Sequence, residues 1–390
     1  GAKSVLDQTD QTEKGASWNY ATQWSFHPKE IISFIYPYHF GLQNTQDFKK
    51  GAYWGFMSFT QSTHYLGLIT IILAILGSIL KKPDKLEIFF WVVTLLTLFT
   101  GFGSYFSILY KPFFQVLPFF SKFRIPSMIY ILLAVSIPVL AARGLDTIIS
   151  EIDKKNIFKN IVYVPGFIFL FTLLLLLFGE SIINFSNSSD SLRYTLSQIS
   201  ILKTYRIDLF HKGLILALFI SGSFILLIWF LKKNHINKET FFYLLLLLCL
   251  SDFWIINQEF MNLKTKEDMD NLFKSNPIVN RIIKDNDHFR VFPADEIRSN
   301  KYSYWNIESI GGYRPIKLRS YEDLMSARGF SKPKILNMLN VKYVITSKKI
   351  NNSNFVKVDG INGLYKNSNV LPKAWIVSDI KNVKSQRESL

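Results

Sequence analysis

Between Tyr65 and Ile256 the chain carries six long apolar stretches, at 65–80, 88–102, 128–142, 157–178, 213–231 and 240–256, more than a soluble globule can bury. An α-helix rises roughly 1.5 Å per residue, so each stretch with its flanks is long enough to cross about 30 Å of hydrocarbon. The shorter stretches gain weight from their recurrence in series. The expected fold is an α-helical polytopic membrane domain of about six transmembrane helices over 65–257. An extracytoplasmic loop with interfacial helices precedes it at 1–64, and an extracytoplasmic α/β domain follows at 258–390.

Charge sets the expected orientation. Lys81, Lys82 and Lys85 fall in the first turn between helices, Arg143, Lys154, Lys155 and Lys159 in or beside the third, and Lys232, Lys233 and Lys238 in the fifth. Basic turns stay cytoplasmic, which puts the longer loops 103–127 and 179–212, both chain ends and the 258–390 domain on the outer face. Lys111, Lys122, Arg124, Arg193, Lys203 and Arg206 oppose that bias. The net charge of +16 is not gathered into one arm or helix face, so contact with anionic membrane lipids explains it and nucleic acid is not an expected partner. The single cysteine, Cys249, allows no internal disulfide, and no Cys/His spacing matches a zinc site. The polar opening at Gly1, with no signal-like region, predicts that further helices precede this piece.

The segment after Glu259 changes texture: charge is dense and helix and strand signals alternate. Asn276-Pro277 is a helix start leading into 278–285, and 288–292 alternates like a strand. Helices are expected at 318–328 and 334–339, a buried strand at 341–346, a hairpin from 355–359 and 364–366, and a further strand at 374–378.

Several blocks in order, Phe289-Arg290-Val291-Phe292, Gly311-Gly312-Tyr313-Arg314-Pro315, the run from Leu336 to Ile345, Leu364-Tyr365-Lys366-Asn367 and Leu371-Pro372-Lys373-Ala374, resemble the outer domain of the YfhO-like bacterial membrane proteins. In the membrane part Tyr36-Pro37-Tyr38-His39-Phe40-Gly41, Tyr53-Trp54-Gly55 and Phe123-Arg124-Ile125-Pro126-Ser127 are similar to that family's blocks. The resemblance implies a bacterial plasma-membrane protein of GT-C glycosyltransferase architecture. It would move a sugar from a polyprenyl-phosphate sugar to an envelope polymer acceptor on the outer face, with no cofactor. The family's usual Arg before Ala374 is Lys373 here, which keeps the charge and loses the planar fork.

Such a transfer needs a carboxylate to deprotonate the acceptor, cationic or amide donors for the departing phosphate, and a groove for the prenyl chain. The resemblance puts the acid in a first outer loop upstream of Gly1, so no catalytic residue is assigned within this piece. For the phosphate the candidates are Arg124 and Lys122, at the expected start of the third helix. The alternative for both is a cation anchoring to headgroups. Tyr38 and His39 are candidates for sugar binding or proton transfer, or else part of an aromatic belt at the interface, and Tyr53, Trp54 and Phe56 carry the same two readings. Asp252 sits in an apolar stretch, where an ionised group costs most, unless the hydrocarbon ends near Ser251 and it meets water. Arg314 and Lys317 form a basic turn suited to an anionic polymer, or shape a loop. No phosphate-binding Gly-Lys-Ser/Thr loop, His-Glu-x-x-His or Gly-x-Ser-x-Gly is present, which removes the sequence basis for ATP-driven transport, zinc hydrolysis and esterase chemistry. A non-enzymatic carrier, flippase or scaffold for lipid-linked envelope intermediates is the other functional class these residues allow.

Overall fold

The computed structural model describes residues 17–43, 52–57, 60, 63–154, 156–261, 263–313, 318–380 and 382, with the backbone alone at 193, 319 and 322. The chain divides into two compact units, Asp10–Met261 and Asn262–Leu390. The first is helical: α1 Trp18–Ala21, α2 Leu68–Leu80, α3 Lys85–Gly101, α4 Ser107–Val116, α5 Leu133–Glu151, α6 Ile157–Ile182, α7 Asp190–Arg193, α8 Leu196–Lys232 and α9 Lys238–Gln258, with 3-10 turns at Pro28–Phe34 and Pro126–Leu132. Each of the six apolar stretches overlaps one of these helices, with 65–67 and 102 outside them and 128–132 in the 3-10 turn that leads into α5. Four segments are long and apolar enough to cross a membrane, namely Pro126–Glu151, Ile157–Ile182, Leu196–Lys232 and Lys238–Gln258. α3 and Gly103–Val116 qualify only as a pair bent by 111°, and α2 is shorter, with 13 residues. The unit has the make-up of a multi-pass membrane protein.

Its surface is inverted relative to a water-soluble fold. Phe89, Val92, Leu95 and Leu96 of α3, Phe167, Leu170, Leu174 and Leu177 of α6, and Leu247, Leu250 and Trp254 of α9 all face outward, while Thr94, Thr97, Ser136, Thr172 and Ser221 are buried. Lipid tails are as apolar as leucine, so helices in a bilayer hold together through close backbone approach and hydrogen bonds rather than through hiding grease. Thr94 and Ser136 share a hydrogen bond of 2.8 Å between α3 and α5, and Trp91 Nε1 donates to Ser78 Oγ at 2.7 Å between α3 and α2. Helix α2 lies so close to α5 that a Cβ on Gly144 would sit 1.9 Å from the carbonyl oxygen of Leu73, and one on Gly77 would sit 2.8 Å from the Gly144 Cα.

The turns after α2, α5 and α8 are tied to one another. Arg143 pairs with Asp84 and, at 3.2 Å, with Glu87, the two carboxylates of the capping box that starts α3. Lys232 donates to the carbonyls of Ile152 (2.6 Å) and Lys154 (3.1 Å), and Lys238 lies 3.7 Å from Asp153. The three lysine-rich turns therefore share one end of the bundle. The opposite end departs from expectation, because much of 179–212 is helix rather than loop. A capping box of Thr195 and Gln198 starts α8, no glycine or proline interrupts the chain up to Lys212, and the helix runs on for 37 residues, about 55 Å against about 30 Å of hydrocarbon. Hydropathy registers only the apolar half of such a helix.

The second unit is a small α/β fold with α10 Lys266–Leu272, α11 Pro277–Ile283, β1 Arg290–Pro293, α12 Arg319–Ser326, α13 Pro333–Met338, β2 Val341–Ile345, β3 Phe355–Lys357 and β4 Leu364–Asn367. The strand order is β1-β2-β4-β3, with β1 and β2 parallel and the other pairs antiparallel. Asn276 caps α11 by accepting the Val279 N–H at 2.9 Å, and Asn340, at φ +59°, turns the chain from α13 into the buried β2. The hairpin expected at 355–366 is β3–β4. The strand expected at 374–378 does not form. Leu371 N–H bonds to the Asn337 carbonyl and Lys373 to Glu308, and beyond them Trp375, Ile376 and Val377 run exposed with no strand to pair with among the described residues.

Gly144→Val is expected to drive α2 and α5 apart and to lower the yield of monodisperse, folded protein in detergent severalfold. Gly166→Ala, inside α6, whose new methyl meets only ordinary contact at 3.6 Å, should leave the melting temperature unchanged or raised.

Candidate functional site

The end of the helical unit opposite the lysine-rich turns is built from irregular chain, and side chains supply the hydrogen bonds that such backbone lacks. Arg206, on α8 and 2% exposed, makes a two-pronged pair with Asp190 at 2.6 and 3.0 Å. Its remaining donors reach the carbonyls of Ala52 and Phe185, both at 3.0 Å. Ala52 and Phe185 each have φ +48°, a left-handed conformation that costs about 1–3 kcal/mol at a non-glycine residue and persists only when neighbours over-determine it. Nearby, the Asn187 amide donates to the carbonyls of Trp54 (3.0 Å) and Gly55 (2.7 Å). Sequence reasoning counted Arg206 only as an exception to the charge bias. The signal available was the unbroken helical run from Leu196 into the apolar stretch, which carries Arg206 inward.

On this frame sits Arg124. Its guanidinium lies between the rings of Tyr20 (4.7 Å to the centroid) and Trp24 (4.8 Å), and Nη1 donates to the Tyr20 hydroxyl at 2.7 Å. Nε is buried with no acceptor, and no carboxylate pairs with this arginine among the described residues. The flanking backbone is strained: Trp24 has φ +58° and Ile125 φ +66°, the latter an unusual state for a β-branched residue. Ile125 N–H is held by the Ala21 carbonyl at 3.3 Å, and Pro126 begins the long helix immediately after. A rigid, half-buried cation without a counter-ion among the described residues is a ready receptor for a phosphate or carboxylate. Lys122, by contrast, is exposed and rests over the exposed Phe119 ring at 5.0 Å.

A few residues beyond Trp24, Glu30 is buried at 2% exposure in the turn Pro28–Phe34. Glu30, Ser33 and Phe34 of this turn pack inward, while Lys29 and Ile31 are exposed. Tyr53 O–H reaches both carboxylate oxygens (2.9 and 3.1 Å) and itself accepts the Met57 N–H at 3.0 Å, while Phe56 N–H donates to Oε1 at 2.7 Å. His27 stacks on the Phe56 ring at 3.7 Å and meets Tyr105 edge-on at 4.6 Å. Burial pushes the Glu30 carboxyl above its ordinary range, with the Phe56 amide and the Tyr53 hydroxyl pulling the other way. Among the described residues it has no cationic partner. Such a group can take a proton from a hydroxyl, and it can equally pin the 52–57 loop. Its sequence signal, an isolated acid amid aromatic residues, was not used.

The other candidates are structural neighbours of this frame. Tyr38 is fully buried and His39 is 9% exposed, so neither belongs to a lipid-facing aromatic belt. Tyr38 O–H donates to Glu259 at 3.2 Å, Lys212 pairs with the same carboxylate, and Lys212 Nζ lies 5.2 Å from the Tyr38 ring centroid. His39 packs against Phe40, Trp54 and Phe210, and its Nδ1 finds no partner among the described residues. Asp252 is buried rather than bathed in water. It accepts from Tyr65 O–H (2.6 Å) and from Leu68 N–H (3.2 Å), capping α2 from a different helix. Arg314 and Lys317 lie outside the described residues. Among the described residues no cluster of His, Cys, Asp and Glu could hold a metal ion.

Compared with known proteins, the chain matches no protein family, no curated protein and no solved structure. The family expectation rests on the quoted blocks of residues alone.

Two outcomes follow from this geometry. Arg206→Ala removes the two-pronged guanidinium contact from the buried Asp190 carboxylate and the donors to the Ala52 and Phe185 carbonyls, and the expected destabilisation is about 3–5 kcal/mol, measured by thermal or denaturant unfolding in detergent. Burial holds the His39 imidazole at about 4 against 6.5, so the fold favours its neutral form. That contribution is complete above pH 6.5 and is lost as pH falls toward 4, up to about 3 kcal/mol. Wild-type melting temperature should therefore drop between pH 7 and 5, and His39→Phe should reduce that drop without abolishing it, because burial also holds the His64 imidazole at about 4.

Proposed function

We propose that this chain belongs to a GT-C type glycosyltransferase similar to the YfhO-like proteins, working in the bacterial plasma membrane. It moves a sugar from a polyprenyl-phosphate donor to an envelope polymer at the outer surface. In this reading all six apolar helices cross, with α2 as a short span and α3 joined to the interfacial α4. The lysine-rich turns face the cytoplasm, and the 262–390 unit is presented outside. Arg124 carries the proposal. A guanidinium preset between two rings, without an acid partner among the described residues and next to the start of a membrane-crossing helix, matches what a lipid-linked phosphate presents at the interface.

Glu30 supplies the proton chemistry. Both the platform under Arg124 and Glu30 come from the short segment 18–34, so the two groups are positioned by one piece of chain. The carboxylate accepts the proton of the attacking hydroxyl, and the raised affinity that burial gives it suits that step. Arg124 meanwhile stabilises the charge gathering on the departing phosphate.

In membranes holding the intact protein and a polyprenyl-phosphate sugar, Arg124→Ala is expected to lower transfer about 10- to 100-fold, through a raised donor KM and a lowered kcat together, the equivalent of one charge-assisted contact. Glu30→Gln, close in shape, should cut kcat about 100-fold or more with donor KM retained. Normal transfer by both variants would refute the proposal. Movement of the lipid phosphate across the membrane without sugar transfer would favour the carrier instead.

A further inference from the structure

The 262–390 unit contains a groove of about 730 Å³ that the proposed transfer chemistry does not use. It lies beside β1, the turn Lys301–Trp305 and α12, a size ordinary for a small-ligand site. One wall is Gly311 and Gly312, and here glycine is required. A Cβ on Gly311 would stand 2.4 Å from the Ile297 carbonyl oxygen, and Gly312 sits at φ +125° while donating to that same oxygen at 2.6 Å.

Because the chain is drawn in so tightly there, the next residue is presented at the rim. Asn300 grips the Tyr313 backbone from both sides, Oδ1 accepting its N–H at 2.8 Å and Nδ2 donating to its carbonyl at 3.0 Å. The ring of Tyr313 is left 62% exposed on an anchored backbone.

Charge around the groove is positive. Its one carboxylate among the described lining residues, Glu308, is already engaged twice, by Lys373 at 2.9 and 3.2 Å and by Arg290 at 3.6 Å, and Lys373 holds it below the ordinary carboxylate range. Arg298, also in the lining, has no acid partner among the described residues. The walls add the hydroxyls and amides of Ser299, Ser303 and Asn306.

We propose that this groove binds an anionic glycan segment, a chain of sugar units bearing phosphate or carboxylate. A fixed tyrosine face stacks against the apolar C–H face of a pyranose, the hydroxyls and amides match sugar hydroxyls, and Arg298 takes the anion. An acidic peptide would satisfy the arginine and leave the ring and the amides without their complement. Only the name acceptor for this glycan rests on the transferase reading, since binding is measured with no donor present.

The test uses the intact chain in detergent, with a phosphodiester-linked oligosaccharide of about six units as probe, measured by calorimetry and by saturation-transfer NMR. Expected are transfer of saturation to sugar C–H protons, Kd raised at least tenfold by Tyr313→Ala and by Arg298→Gln, and binding weakened by salt. A neutral oligosaccharide of equal length should bind at least tenfold more weakly. Unchanged Kd in both folded variants, or polyglutamate binding as tightly as the glycan, would overturn the proposal. Should a variant fail to fold, the NMR contact and the charged-against-neutral comparison on the wild type decide it by the same criteria. Absence of sugar transfer by the unmodified protein, with this binding present, would count against the transferase and not against the groove.

Discussion

Arg206 holds together the end of the helical unit on which the candidate site depends. One guanidinium, drawn inward by the long helix α8, meets the Asp190 carboxylate and two backbone carbonyls. Those carbonyls belong to Ala52 and Phe185, residues bent into a conformation they would not hold alone. Near lipid an unsatisfied backbone group costs several kcal/mol, and irregular chain survives there only where protein groups answer it. Glu30, Asn187 and Asp252 act in the same manner on the 52–57 loop and on the start of α2. Fixed charges and amides therefore take the place that regular hydrogen bonding fills elsewhere.

Arg124 differs from these groups in what surrounds it. Its planar face is satisfied by Tyr20 and Trp24, yet Nε lacks an acceptor and no acid offsets the charge among the described residues. Holding a half-buried cation with a buried, unanswered Nε is costly, and two left-handed residues beside it add to the strain. Features of this kind contribute nothing evident to stability, and an anionic ligand would relieve them. Glu30 stands in the complementary condition, a buried acid that burial biases toward its protonated form.

Much of the fold was legible because lipid imposes simple length and composition rules. The six apolar stretches all became helices, and the lysine-rich turns gathered at one end, where Lys232 reaches the backbone of the turn after α5. In the second unit Asn276-Pro277 and the β-branched run at 341–345 carried strong local signals. What escaped is what depends on long-range partners. The polar half of α8 has no hydropathy signal, the 374–378 run is β-prone but found no edge, and Asp252 caps a helix far away in sequence. Of the site, Arg124 was visible from its place before Pro126, whereas Glu30 became notable only once Tyr53 and Phe56 closed over it.

The central claim is a lipid-embedded bundle whose irregular end, carrying Arg124 and Glu30, faces out of the cell. Single cysteines at Lys82, Lys233 and Ser188, in a chain with Cys249→Ser, can be probed in intact cells with a membrane-impermeant thiol reagent. The account requires Ser188→Cys to label, and Lys82→Cys and Lys233→Cys to label only after the membrane is permeabilised. Labelling of the two lysine-turn positions from outside, with Ser188→Cys protected, would contradict it.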